Sequence, residues 1–439
     1  MNTDVTRRQF MGYALIAGAG LALAPGCAVN PVTGKNQLMM ISRENEIHID
    51  KEQSPHQFSA DYGVCQDAQL NNYIDTQGRK LAAHTHRRDM PYSFRCVNAT
   101  YVNAYAFPGG SIAVTRGILL KLENEAELAA LLGHELGHVN ARHSAEQVTK
   151  GSIAGLLVKG VSAVINSQNS QMGALAEQLG MLGQGALLSY YSRDNEREAD
   201  ALGNEYMVKT GYSTQGFVGL MDILNDLHKG SESSVSILFA THPMSSERYE
   251  TALQNSRKKY QYSKDFPVYR DRYMDMTQRL RAKKEAIEAM QDSDALLQQK
   301  KFKEAEAALK NAIKCCEDDY TAHLMLAKCM LAQERFSDAI EYARNASRLY
   351  PEEPQSYQVA GMADLNLKKY ETAYDNFTRN AELLPGNPVM FFFRGYTLDK
   401  MGRKTTAAPL YKSYLEQVQQ GDYAAYAYRR LKEWGYISG

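Results

Sequence analysis

The stretch Leu132-Gly133-His134-Glu135-Leu136-Gly137-His138 holds the residues best placed for chemistry. Two histidines four apart on an α-helix differ by about 40° around the axis and roughly 6 Å along it, so both imidazoles face one point. That geometry suits two nitrogen ligands of a single zinc ion. Glu135 projects beside that point without being the natural third ligand. A carboxylate there can take a proton from a water that the metal activates. Catalytic zinc needs a third protein ligand, and two histidines with a glutamate form a common set. Further along, Tyr191-Ser192-Arg193-Asp194-Asn195-Glu196-Arg197-Glu198-Ala199-Asp200 reads as a second helical stretch. Glu196 and Asp200 share one face of it, with the small Ala199 allowing close helix approach. Glu196 is the expected ligand, and Asp200 the carboxylate that a metal-bound histidine wants on its free N–H. Glu198, about 160° from Asp200 around the helix, suits that role less.

His242, in Phe239-Ala240-Thr241-His242-Pro243-Met244, precedes a proline and is therefore expected in extended or turn backbone. It is a candidate to reach the metal as a fourth ligand, which would close the site, or to stabilise a tetrahedral oxyanion in an open form. A structural turn histidine is the plain alternative. The histidines at 48, 56, 84, 86, 143, 228 and 323 have no comparable context and read as ordinary.

These residues need a scaffold. The metal helix is expected from Asn124 toward His143, with capping and acidic residues (Asn124, Glu125, Glu127) in its first turn. Before it, Asn103-Ala104-Tyr105-Ala106-Phe107, the Pro108-Gly109-Gly110 turn and Ser111-Ile112-Ala113-Val114-Thr115 spell a β-hairpin. A strand beside a zinc site offers its edge to an extended peptide, making Asn103, Ala104 and Tyr105 candidate substrate-binding residues. Tyr92 to Asn98 alternates as a half-buried strand, and a turn with a further strand is expected over Asn30–Ile41. Residues 151–189, rich in Gly, Ala, Leu, Ser and Gln, read equally as two flexible helices forming a lid or partner surface, or as two packed core helices.

The constellation resembles the M48 family of zinc metallopeptidases. The likeness rests on His134-Glu135-x-x-His138 and Glu196-x-x-x-Asp200. It extends to Asn30-Pro31-Val32-Thr33-Gly34, Asn103-Ala104-Tyr105, Pro108-Gly109-Gly110, Val139-x-x-Arg142-His143 and Ser192-Arg193, and runs from about residue 29 to 260. The resemblance implies zinc on His134, His138 and Glu196, with Glu135 as general base, in agreement with the spacing argument. The family has a similar His-Pro followed by an Arg, here His242-Pro243 and Arg248.

Fifty basic residues balance fifty acidic ones, so charge gives no reason to expect nucleic acid. At 439 residues two or three domains are expected. Thr6-Arg7-Arg8-Gln9-Phe10 and the apolar run Met11–Ala24 form an export signal that resembles the bacterial twin-arginine type. Ala22-Leu23-Ala24 offers one cleavage site. Ala24-Pro25-Gly26-Cys27 offers a lipobox in which Cys27 is lipidated, tethering the chain to a membrane. Five other cysteines (65, 96, 315, 316 and 329) are too scattered for a Cys-based zinc site, and their pairing is not legible.

The C-terminal part repeats. Ala305, Ala339, Ala373 and Ala407 are each 34 residues apart, as are Pro351 and Pro385, and Ala327, Gly361 and Gly395. This period resembles tetratricopeptide repeats, stacked pairs of antiparallel helices. Four are expected from about 286 to 420, with Asp422–Trp434 as a closing helix. Tyr357, Phe391, Phe392 and Phe393 are candidate peptide contacts, although inter-helix core is the commoner fate of such residues.

The expected fold is mainly α with a small β-sheet: a gluzincin-type metallopeptidase domain followed by an all-α repeat solenoid. The expected segments are an export signal (1–27), the metallopeptidase domain (28–260), a helical linker (261–285) and repeats with a capping helix (286–439). Together with the resemblance, they imply one Zn2+ per chain and a periplasmic peptidase, either soluble or anchored to the outer membrane by lipid. Its partners would be unfolded or misassembled envelope proteins and, through the repeats, the outer-membrane assembly machinery.

Overall fold

A computed structural model describes residues 26–34, 36–39, 41–147, 191–229 and 233–437. Residues 1–25 of the export signal expected at 1–27, and the two helices expected within 151–189, lie outside the described residues. Of Cys27 only the backbone is described. The protein is mainly α-helical with a small β-sheet, and its C-terminal part is an all-α array of helix pairs.

Strands β1 (Gly26–Val29) and β2 (Asn36–Met39) pair antiparallel across the Asn30–Gly34 turn. Asn30 Oδ1 closes that turn by accepting from the backbone N–H groups of Val32 and Thr33. Helices α1 (Arg43–Ala60) and α2 (Ala68–Ala82) follow, capped by Ser42 and Asp67. The main sheet contains β3 (Ser93–Val97), β4 (Ala104–Ala106) and β5 (Ser111–Thr115) in the order β3-β5-β4. β4 and β5 form the expected hairpin, whereas β3 runs parallel to β5 on its other side. β4 is therefore an edge strand among the described residues.

Asn103 O accepts from Thr115 N–H of β5, Asn103 N–H donates to the Thr115 hydroxyl, and Phe107 N–H donates to Ser111 O. By antiparallel alternation, the main-chain groups of Ala104 and Ala106 point away from the sheet. At the strand's entrance Val102 N–H donates to Ser234 O, 2.9 Å away.

The short α3 (Arg116–Lys121) leads into α4 (Glu125–Ala141), every residue of which is buried. Asn124 caps α4 by accepting from Glu127 N–H, and Arg142 ends it in the left-handed region at φ 63°. That backbone is held from outside. Arg142 Nε donates to Glu46 Oε1 (2.9 Å), and Arg87 Nη2 meets Glu46 Oε2 (2.5 Å). Against α4 lies α5 (Arg193–Lys209), followed by α6 (Gln215–Lys229), α7 (Ser236–Thr241), α8 (Ser246–Arg257) and α9 (Arg270–Ala282).

The repeats are four helix pairs: α10 (Lys284–Gln298) with α11 (Phe302–Cys315), α12 (Tyr320–Ala332) with α13 (Phe336–Leu349), α14 (Gln355–Asn366) with α15 (Tyr370–Leu383), and α16 (Pro388–Lys400) with α17 (Lys404–Gln417). Helix α18 (Asp422–Glu433) closes the array, held by a bidentate Arg430–Asp399 pair. The period is visible in the backbone. Lys300, Glu334, Lys368 and Gly402, each 34 residues from the next, take positive φ in the turn inside each pair. The repeated alanines are all buried, where α10–α11 and its successors need close approach. Phe392 and Phe393 belong to this core, at 2% and 3% exposure, and so are not peptide contacts.

Two compact units emerge, one running to Ala322 and one from His323 onward. The first helix pair thus belongs to the same compact unit as the β-sheet. A buried ion pair, Arg116 Nη1 to Asp319 Oδ2 at 2.6 Å, binds it there, as does Gln291 Nε2 donating to Thr100 O.

Candidate metal centre

Close helix approach builds the site. A methyl group on Gly137 would lie 2.8 Å from Ala199 Cα, and one on Gly203 would lie 2.7 Å from His134 N. The glycines that flank the histidines in sequence, together with Ala199 and Gly203, therefore let the α4 and α5 backbones touch. Glu196 and Asp200 reach the histidines across that contact.

His134 Nε2 and His138 Nε2 lie 3.0 Å apart. Glu196 Oε1 is 3.3 Å from His138 Nε2, and its Oε2 is 3.5 Å from His134 Nε2. His242 joins them, its Nδ1 3.0 Å from Glu196 Oε1 and 3.4 Å from His134 Nε2. The four possible donor atoms of His134, His138, Glu196 and His242 all fall within 4.8 Å of one another, and all four residues are buried.

The outer partners assign the protons. His134 Nδ1 is 2.9 Å from Asp200 Oδ1, so it carries the hydrogen and leaves Nε2 with a lone pair. His138 Nδ1 is 2.9 Å from His143 Nδ1, and His143 Nε2 is 3.2 Å from Glu198 Oε2. A carboxylate accepts only, so His143 donates from Nε2 and accepts at Nδ1 from His138. His138 Nε2 is then also bare. Two lone pairs 3.0 Å apart repel unless a cation sits between them, and a carboxylate completes the set. The donors fit a metal ion.

Electrostatics agree. Burial drives the His138 imidazole well below its ordinary range, keeping it neutral for ligation. Burial would raise Glu196, but the charges of His242 and Arg248 override it and hold the carboxyl well below its usual range. Arg248 Nε is 2.7 Å from Asp200 Oδ2, and its Nη1 is 2.7 Å from Glu196 Oε2. Burial opposes the ionised form of Asp200 too, and Arg248 again prevails. Glu135, 1% exposed, is raised by its burial. Its Oε2 has no hydrogen-bond partner, and its Oε1 lies 3.8 Å from His242 Nε2. For His242, burial lowers the pKa, and Glu196 more than reverses that.

Every expected member of the cluster is therefore brought together: His134, Glu135, His138, Glu196, Asp200 and His242. Asn103, with Ala104 and Tyr105, lies at the edge strand. Both its side-chain amide atoms are buried without a partner. Three contributors were not singled out in the sequence. His143, read there as ordinary, sits beyond the helix end, where the left-handed Arg142 turns the chain back toward His138. Glu198 meets His143 rather than the metal face. Tyr191 stacks on the His138 ring, with centroids 3.6 Å apart. The Val139-x-x-Arg142-His143 stretch was a usable signal for the first, while the other two depend on how α5 is laid against α4.

Comparison with known proteins agrees with this geometry. The model of peptidase family M48 matches residues 68–256, and a tetratricopeptide-repeat model matches 296–363. Residues 68–256 are an M48 peptidase domain. A putative beta-barrel assembly-enhancing protease of Vibrio cholerae is 29% identical over 198 residues, covering 44% of this chain and 41% of that one. The beta-barrel assembly-enhancing protease of Escherichia coli is 27% identical over 224 residues, covering 48% and 44%. Metalloprotease YcaL of Escherichia coli is 36% identical over 158 residues, covering 36% and 59%. The chain thus spans less than half the length of the assembly-enhancing proteases it matches. An M48 domain implies a metal, and the donor set above is compatible with one. Among the described residues no helix is long and apolar enough to cross a membrane.

Proposed function

We propose that this protein is an exported, zinc-dependent endopeptidase of the bacterial envelope that hydrolyses peptide bonds in misassembled outer-membrane or periplasmic proteins. The observation that carries the reading is the convergence of two bare Nε2 atoms and the Glu196 carboxylate, with the unpartnered Glu135 oxygen beside them. One Zn2+ per chain would be held by His134, His138 and Glu196. Zinc, when bound, supplies Lewis-acid polarisation of the scissile carbonyl and makes water acidic enough to attack.

The chain's own residues do the rest. Glu135 takes the proton of the attacking water and returns it to the leaving amine, a role its burial-raised pKa suits. Substrate backbone adds to the sheet along Ala104 and Ala106, with the buried Asn103 amide and Tyr105 at the same strand. Asp200 orients His134. The domain is taken as 28–260, followed by the linker 261–285 and the repeats from 286. The repeat array binds substrate or assembly-machinery partners, in keeping with the names of the relatives. A twin-arginine-like signal exports the chain, and Cys27 is its lipid anchor. His242 is a self-inhibitory fourth ligand, because catalysis needs an open position.

The nearness of His242 to Glu196 also favours a second reading, a chaperone or scaffold whose zinc site is mostly closed. The two readings separate on one experiment: zinc-loaded protein and Glu135→Gln incubated with an unfolded outer-membrane protein. Cleavage by the wild type alone is expected. Equal cleavage by both removes Glu135 from the mechanism, and no cleavage by either favours the chaperone.

A further inference from the structure

Two cysteines outside the metal centre face each other. Val64 and Val97 form an antiparallel bridge, which makes Cys65 and Cys96 the next cross-strand pair. Cys65 N–H donates to Cys96 O at 2.8 Å. Asn71 fills the pair's other side, its Nδ2 donating to Cys65 O (2.6 Å) and its Oδ1 accepting from Cys96 N–H (3.0 Å). Residues directly opposite on antiparallel strands have Cα atoms about 4.5–5.5 Å apart, inside the range of about 4.4–6.8 Å that a disulfide spans. Residues directly opposite on paired strands turn their side chains to the same face, so the two thiols are neighbours; the Cys96 thiol donates to Val97 O, 3.7 Å away. Cys65 is partly exposed, so an oxidant can reach it, while Cys96 is 0% exposed and meets oxidant only through Cys65.

We propose that Cys65 and Cys96 are the site of an intrachain disulfide, formed by exchange with a small-molecule or protein disulfide. The Cys65 thiolate attacks one sulfur of the donor and expels the first donor thiolate. Cys96 gives up its proton, attacks the Cys65 sulfur of the mixed disulfide and expels the second. Two protein thiols are oxidised and one donor disulfide is reduced to two thiols.

The order of attack follows from the environment. The neighbouring Cys96, assisted by the Arg116 charge, brings the Cys65 thiol down to about 7 against its burial. An attacking thiol works best with a pKa near ambient pH. At Cys316, by contrast, burial and Asp318 push the thiol up to about 11. The bond would pin the loop that begins at Asp61, whose carboxylate accepts hydrogen bonds from Tyr101 and the edge-strand Tyr105. It goes beyond the peptidase reading and does not depend on it. An oxidising envelope would supply the donor in the cell.

The test uses the full reduced protein exposed to oxidised glutathione, acid-quenched, denatured, alkylated and digested with trypsin. Expected are a loss of two alkylatable thiols, a peptide linking Cys65 to Cys96 that dithiothreitol releases, and a melting midpoint raised by a few degrees. The midpoint should not move on oxidation in Cys65→Ser or Cys96→Ser. The proposal is overturned if Cys96 stays alkylatable in the oxidised, denatured protein. It is overturned equally if Cys65 is recovered linked only to glutathione, Cys315, Cys316 or Cys329.

Discussion

His138 Nδ1 lies 2.9 Å from His143 Nδ1, and the chain of hydrogen bonds ends on Glu198. This arrangement parallels the one on the other histidine, where His134 Nδ1 meets Asp200. Each imidazole of the pair therefore has its proton drawn outward and its Nε2 lone pair turned inward.

His143→Ala leaves His138 free to take the wrong tautomer. Zinc affinity, read by competition with a chelator, should fall by about 10–100-fold. His143→Asn, whose Oδ1 can replace the accepting nitrogen, should recover part of the loss. Unchanged affinity in His143→Ala would mean that the contact orients nothing.

His242→Ala should raise basal cleavage of an unfolded substrate several-fold if the histidine is a brake. Zinc binding should persist on the three remaining donors. A fall in cleavage with zinc retained would make His242 catalytic instead.

Gly137→Ala places a methyl group 2.8 Å from the Ala199 backbone, which cannot swing aside as a flexible side chain would. A loss of about 1–3 kcal/mol in denaturant unfolding is expected from the forced shift. Weakened zinc binding should accompany it, because Glu196 rides on the displaced helix. Equal stability and affinity to wild type would contradict the close-approach account.

Arg116→Ala leaves the buried Asp319 with only the more distant Lys283, 3.9 Å away, as a cation, and a cost of about 3 kcal/mol in urea unfolding is expected. The double variant Arg116→Met/Asp319→Leu should recover most of it. If Arg116→Ala is silent, the first helix pair is not held to the metallopeptidase unit by this ion pair.

Asp61 makes a pH-dependent contribution of the less common sign. Burial raises its carboxyl to about 6, only partly offset by hydrogen bonds from Tyr105, Gln57 and Tyr101. The folded protein thus holds this proton to higher pH than the unfolded chain, and stability from this group is lost as pH rises from about 4 to about 6. Urea melts across that window should show Asp61→Asn losing less stability with rising pH than wild type. Parallel pH profiles would refute the assignment.

Much of this protein was legible as local pattern. Histidines four apart on a helix, carboxylates four apart on another, and alanines 34 apart each state a periodicity that a helix or repeat must obey. The β4–β5 hairpin was equally legible because a Pro-Gly-Gly turn joins adjacent strands. What local pattern could not state is which distant groups meet. The parallel pairing of β3 with β5 depends on a crossover rather than a turn, so no turn residue announced it. His143 looked ordinary because its role arises from the left-handed backbone at Arg142, which Glu46, nearly a hundred residues earlier in the chain, helps to hold. Cys65 and Cys96 became a pair only when the loop after α1 was laid along β3. Sequence alone thus determined the chemistry available and the period of the scaffold. Tertiary structure decided the protonation of the ligands and the partners of the buried charges, because those are set by contacts between segments far apart in the chain.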